Sequence, residues 1–174
     1  SPKNHFLTTA FLNTFESNDG RKSSWIGSLT VSAGTFYYPA KYKALSKMTT
    51  APWTEYTTPF RLAEQYLIRA EALAKQNKLT EAIADLDKIR NRAGLPLIAT
   101  TNPSINQADL LMAIERERSS ELFIEYGHRW FDLKRTNRAL AVIGGGITQN
   151  DLLWPIPQNE FDRNPNLGQQ NPGY

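Results

Sequence analysis

The sequence predicts an all-α fold, a tetratricopeptide-like α-α superhelix with long irregular loops and room for one short β-hairpin. Three observations carry this. Apolar residues recur at three- and four-residue steps through much of the stretch between residues 59 and 137. Two of the helices so marked are separated by a turn short enough to force an antiparallel pair. Ahead of them, residues 1–58 are rich in Ser, Thr, Asn, Gly and aromatics and show no sustained helical period.

In order along the chain, Phe6 to Phe15 can form one short helix. Asn18-Asp19-Gly20 is a turn signal, and Trp25 to Tyr38 holds β-prone residues broken by Gly27 and Gly34, hence one or two short strands. Ala63, Tyr66, Leu67, Ala70, Leu73 and Ala74 mark an amphipathic helix from about Pro59 to Gln76, with Pro59 tolerated in its first turn. Asn77-Lys78-Leu79 turns the chain, and Thr80 is the expected cap of a second helix whose stripe is Ala82, Ile83, Leu86 and Ile89. Gly94 is placed to end it in the left-handed conformation. Ala70 and Ala82, twelve residues apart, have the spacing at which tetratricopeptide hairpins bring two helices close. Such a hairpin cannot bury its own outer face, so neighbouring helices are required.

Asn106 is the expected cap of a third helix running from about Gln107 to Tyr126. Gly127 interrupts it, and a fourth segment runs from His128 to about Asn137. Gly144-Gly145-Gly146 is a flexible turn. From Leu152 onwards Pro155, Pro157, Pro165 and Pro172 call for an extended path, which Leu153, Trp154, Ile156 and Leu167 would lay on the helices.

The bulk numbers exclude several classes. At 174 residues, with 40% hydrophobic and 21% charged, the chain is ordinary for a globular protein with one sizeable core. A net charge of +3, with bases and acids alternating as in Glu115-Arg116-Glu117-Arg118, does not make a nucleic-acid surface. Absence of cysteine removes disulfides, thiolate metal sites and a cysteine nucleophile, and also any lipid-modified cysteine in this chain. No stretch approaches the roughly 20 apolar residues of a membrane span.

The third helix carries the most unusual pattern. Its apolar seam, Leu110, Leu111 and Ile114, then Leu122, Phe123 and Tyr126, is interrupted by Glu117, Arg118 and Glu121. A functional reading makes Glu121 and Glu125 a catalytic pair. The favoured reading is structural ion pairs, with these carboxylates bound by Arg118, Arg129 and Arg135, because abundant guanidinium groups hold a carboxylate ionised and unsuited to acid catalysis. Glu125-x-x-His128 has the spacing of di-iron bundles, yet a second such pair is missing and Gly127 breaks the helix between the two; no metal or other cofactor is expected. The triple glycine lacks the Lys-Ser/Thr of a phosphate loop, and no serine-nucleophile motif is present. Trp25, Tyr37, Tyr38 and Trp53 fall outside the helices, where flat faces are available to stack on sugar rings, and they are the candidate ligand-binding residues.

Three stretches together resemble the SusD/RagB family. The first is Arg61-Leu62-Ala63-Glu64 through Tyr66-Leu67-Ile68-Arg69-Ala70-Glu71-Ala72, then Arg90-Asn91-Arg92-Ala93-Gly94-Leu95. The second is Glu117-Arg118-Ser119-Ser120-Glu121-Leu122, then Gly127-His128-Arg129-Trp130-Phe131-Asp132-Leu133-Lys134-Arg135. The third is Trp154-Pro155-Ile156-Pro157, ending in Asn164-Pro165-Asn166-Leu167 and Gln170-Asn171-Pro172-Gly173-Tyr174. Asp19-Gly20-Arg21-Lys22 ahead of Lys41-Tyr42 fits the same pattern.

The resemblance is to the carboxy-terminal part of longer proteins. It divides the chain into residues 1–58, continuing a longer amino-terminal part, and residues 59–174, the helical region with its proline-rich tail. It implies a non-catalytic protein at the extracellular face of a Bacteroidetes outer membrane, lipid-anchored through a cysteine outside this chain. Such a protein binds glycan or peptide nutrient and delivers it to a SusC-like TonB-dependent transporter. In that frame Arg118, Glu121, Glu125, Arg129, Asp132 and Arg135 are scaffold ion pairs. Two rivals stand beside it: a generic helical-repeat adaptor for other proteins, and a glycan hydrolase, which needs two carboxylates roughly 5–10 Å apart in an open cleft.

Overall fold

The structure is a computed structural model that describes residues 5–43 and 55–174. It divides into two compact units, Ser1–His128 and Arg129–Tyr174. Trp53 lies outside the described residues.

The first unit opens with short elements. α1 (Thr9–Leu12) is capped by Thr8, whose side chain accepts from the Phe11 N–H at 3.2 Å. α2 (Gly20–Trp25) starts where the sequence signals only a turn: the Asp19 carboxylate takes the Arg21 N–H at 2.9 Å, an N-cap that converts the turn into a helix start. β1 (Ile26–Val31) and β2 (Gly34–Pro39) form an antiparallel hairpin in register from Ile26 opposite Pro39 to Val31 opposite Gly34. The tip of the Tyr38 ring lies over Gly27, and a Cβ there would stand 2.5 Å from it, so a larger residue would displace the ring.

α3 (Leu62–Lys75) and α4 (Leu79–Ala93) make the helical hairpin. Leu67, Ala70, Ala74, Ala82 and Leu86 are completely buried between them and α6, so the alanine spacing does allow the close approach. Two boundaries differ from expectation. α3 begins at Leu62 and not near Pro59, because Arg61 is extended (φ −121°, ψ 139°) as its guanidinium reaches across to the carboxylates of the third long helix. Thr80 lies inside the first turn of α4 and caps nothing; Asn77 takes the left-handed conformation (φ 59°), which tightens the turn by a residue and seats Leu79 against the core. Gly94 ends α4 at φ 75°, with the Leu95 N–H donating to the Arg90 carbonyl at 2.9 Å.

α5 (Ile98–Thr101) carries no periodicity of its own. Its first two amides donate to the Asp87 carboxylate of α4 at 2.8 and 2.9 Å, a cap supplied from another helix and invisible to a local reading. α6 (Gln107–Glu121) is capped by Asn106, which accepts from the Asp109 N–H at 2.9 Å. It ends at Glu121, five residues before expectation, because Ile124 (φ 58°), Tyr126 (φ 43°) and Gly127 (φ 72°) all leave the helical region.

The second unit follows α7 (His128–Arg135) with α8 (Ala139–Ile143), a 3₁₀ turn (Asn150–Leu152) and α9 (Gln158–Arg163). Leu133, Ala139 and Leu152 form its small core, with Trp130, Leu140 and Ile147 against them. The expected extended tail is broken by α9, for which the seven residues between Pro157 and Pro165 are room enough. Gln170 pairs with both backbone groups of Ile156 (2.8 and 2.9 Å), Asn171 donates to the Trp154 carbonyl at 2.7 Å, and the Tyr174 hydroxyl donates to that of Leu153 at 2.9 Å. The tail thus folds back on itself, while the Trp154 side chain stays 77% exposed and is not laid on a helix.

Candidate functional site

Charges converge on the end of α6 in the first unit. Glu121, with no exposed surface, receives Arg21 Nη1 at 3.2 Å, Arg61 Nη1 at 2.6 Å and Arg92 Nη2 at 2.5 Å. One turn earlier Glu117 receives Arg21 at 2.6 Å and Arg90 at 3.3 Å. Beyond the helix end, Glu125 accepts from Lys41 at 2.7 Å and from Arg61 Nη2 at 2.9 Å. Arg21 is also clasped by Asp19 at 2.8 Å, and Arg90 holds Glu16 through two bonds of 2.7 and 3.0 Å. Glu16, Asp19, Glu117, Glu121 and Glu125 are thereby matched by Arg21, Lys41, Arg61, Arg90 and Arg92. The cluster carries no net charge, as burial in low dielectric demands.

Backbone is drawn in as well. The Glu121 carbonyl accepts from Lys41 Nζ at 2.7 Å and from Arg61 Nη2 at 2.8 Å, satisfying an orphan acceptor at the helix C-terminus with positive charge. The electrostatics follow from geometry. For Glu121, burial pushes the carboxyl upward, but Arg61 and Arg92 outweigh it and hold it below the usual carboxylate range. For Glu117 burial wins over Arg21 and Arg90, and its carboxyl is raised. Burial pushes the Lys41 ammonium down to about 8, against the opposing pull of Glu125.

Trp25 is half-buried beside this cluster, with Lys41, Arg61 and Arg92 at 4.8, 5.9 and 5.8 Å from its ring and Phe123 at 6.4 Å. Phe123 in turn meets Phe11 and Phe15 at 5.2 and 5.9 Å, so the apolar half of the seam is covered by the amino-terminal segment. Tyr37 is 41% exposed on β2, and Tyr38 is half-buried over Gly27. His128 Nδ1 stands 3.5 Å from Glu64, and both Glu125 oxygens are taken by cations.

Of the residues singled out from sequence, Glu121 and Glu125 lie in this cluster. Arg118 is buried on α6. Arg129 opens the second unit, where Asp132 pairs with Arg135 at 2.7 Å along α7. The cations that meet Glu121 and Glu125, namely Arg21, Lys41, Arg61 and Arg92, come from remote segments. All four stand within the family-like stretches, Arg21 and Lys41 in the lead-in and Arg61 and Arg92 in the hairpin, but nothing in their spacing paired them with Glu121 or Glu125.

Comparison with known proteins places this arrangement. The profile of the SusD family matches residues 13–145, which include every member of the charge cluster. A SusD-like protein of Formosa agariphila is 42% identical over 120 residues, covering 65% of this chain and 24% of its own length. The starch-binding protein SusD of Bacteroides thetaiotaomicron is 32% identical over 126 residues, 66% of this chain and 21% of its own. The chain therefore spans about a quarter of the curated relatives it matches. Among solved structures, a SusD superfamily protein of Bacteroides vulgatus superposes with a TM-score of 0.73 over 97% of this chain and 44% of its own, at 20% identity, a likeness of fold. A SusD-like carbohydrate-binding protein of the same organism gives 0.59 over 75% of this chain and 27% of its own, at 27% identity. With the profile spanning well over half of its residues, the chain belongs to the SusD family.

Proposed function

We propose that the protein containing this chain binds glycan without transforming it at the extracellular face of the outer membrane, tethered by a lipid anchor. There it passes the captured nutrient to a SusC-like TonB-dependent transporter. The observation that carries the reading is family membership together with a relative named as starch-binding at 32% identity. The cluster's chemistry supports a binding scaffold over a hydrolase. Retaining and inverting hydrolysis both need a carboxyl that can hold a proton beside a second that acts on the sugar. Here the acids of the cluster are closed off by guanidinium and ammonium groups.

Ligand contact is assigned to aromatic faces, with Trp25, Tyr37, Tyr38 and Trp53 as the proposed set. Tyr37 has the openest face of the three that are described. Trp25 is partly committed to its cations, and its replacement would disturb the scaffold.

The test is a glycan-array and calorimetric survey of the longer protein and of this chain, with Tyr37→Ala and Trp53→Ala variants. Saturable glycan binding without release of shortened products, weakened by these changes, is the expected result. Turnover of any glycan would overturn the reading. Co-purification with a TonB-dependent transporter checks the partner, and mass measurement of the mature protein checks the lipid.

A further inference from the structure

The charge cluster also floors a hollow that plays no part in the contacts above. Its walls come from the segment between α1 and α2, from α4, from the start of α5 and from α6, and it encloses about 510 Å³. That is within the usual range for a small-molecule site, roughly 300–1,000 Å³. Four features make it more than a surface dent.

Its polar walls are fixed. Asp19, Arg21, Arg90 and Glu117 each line it while remaining more than nine-tenths buried, and each is locked by the ion pairs described. A hydroxyl stands in the wall: Ser120 is 6% exposed and lines the hollow. At the mouth, the exposed Arg116 makes no ion pair among the described residues, so a five-donor fork is available. Ile98 and Ala113 supply a small apolar strip.

The charges on the wall balance, Glu16, Asp19 and Glu117 against Arg21, Arg90 and Arg116, so there is no net field to select an ion. What remains is the Arg116 fork and the Ser120 hydroxyl, set on a rigid polar wall beside a patch that suits C–H groups. That combination fits a ring carrying several hydroxyls on one face and hydrogens on the other. We propose that this hollow is a subsite for one neutral pyranose unit, with Arg116 and Ser120 as its hydrogen-bonding contacts and Ile98 and Ala113 beneath the ring. The proposal rests on the glycan-binding reading above and assigns to it a place distinct from the aromatic residues of the hairpin.

The probes are trisaccharides cut from neutral α- and β-glucan, xylan, mannan and galactan, titrated into this chain by calorimetry and by amide chemical shifts. At least one is expected to bind, with shifts centred on Ala113, Arg116 and Ser120. Arg116→Ala and Ser120→Ala should each weaken it about five- to tenfold. Neither residue belongs to the ion-pair cluster, so the thermal midpoints should stay close to that of the unaltered chain, and Lys75→Ala on another surface should leave binding intact. Binding unaltered by either variant would overturn the subsite. So would failure of this chain to bind any of the five probes. Should the longer protein still bind one of them, only the subsite falls; if it binds no glycan at all, the parent reading falls with it.

Discussion

Three guanidinium groups meet at the carboxylate of Glu121, and water reaches none of it. Glu121→Ala would leave Arg21, Arg61 and Arg92 facing a buried void, at a cost of about 3–5 kcal/mol. Urea unfolding should show the loss as a lower midpoint. Lys41 has the opposite tendency. Burial has depressed its ammonium from 10.5 to about 8, so between these values the unfolded chain holds the proton and the folded one does not. Stability from this residue therefore rises with pH across that window, by up to ~3 kcal/mol. Below pH 8 the penalty is present in full. The stability of wild type relative to Lys41→Met should grow between pH 7.5 and 10, and a pH-independent difference would refute the assignment. At this scale the sequence disclosed half of each pair. Glu117 and Glu121 stand out as acids inside an apolar seam, but Arg21 and Arg61 lie 100 and 60 residues from Glu121, beyond any local spacing rule.

Elements were legible wherever one period ran on undisturbed, as in α3, α4 and most of α6. They were illegible where a distant group decided the outcome. Asp87 makes a helix of residues 98–101 from outside, and the carboxylates of α6 hold Arg61 out of α3. The end of α6 is the sharpest case. Apolar Leu122, Phe123 and Tyr126 continue the helical pattern, yet Ile124 and Tyr126 adopt left-handed angles that cost a bulky residue roughly 1–2 kcal/mol each. The clamps of Lys41 and Arg61 on the Glu121 carbonyl and on Glu125 hold the turn in that shape. Ile124 is 66% exposed, so little packing is lost on replacing it. Ile124→Asn, a residue that tolerates these angles, should raise stability by about 0.5–1 kcal/mol, read as a rise in the thermal midpoint. A fall would show that the isoleucine side chain contributes more than its backbone costs.

For the molecule as a whole, helical class, the hairpin pair and the family were readable because they rest on periodicity and on long motif stretches. The short helices of the tail and the pairing of cations with acids in the charge cluster were not, since both depend on contacts made only after folding. In the first unit Tyr56, Phe60, Leu62 and Ile68 are 75, 81, 70 and 47% exposed, large apolar side chains open to association. The chain on its own is expected to self-associate in a concentration-dependent manner, seen as a rising mean mass in light scattering. A constant monomer mass up to high concentration would contradict this. Among the described residues no helix is long and apolar enough to cross a membrane.

The pairing of Arg21 with Glu121 has a consequence for synthesis. The ribosome makes the cation first, and its acid emerges 100 residues later. At roughly 5–20 residues per second the arginine waits for about 5–20 s. Until then Asp19, two positions away, is the one of its three carboxylate partners already made. The amino-terminal segment must therefore stay solvated and uncommitted while the helical hairpin forms behind it, and its abundance of Ser, Thr and Asn suits that interval.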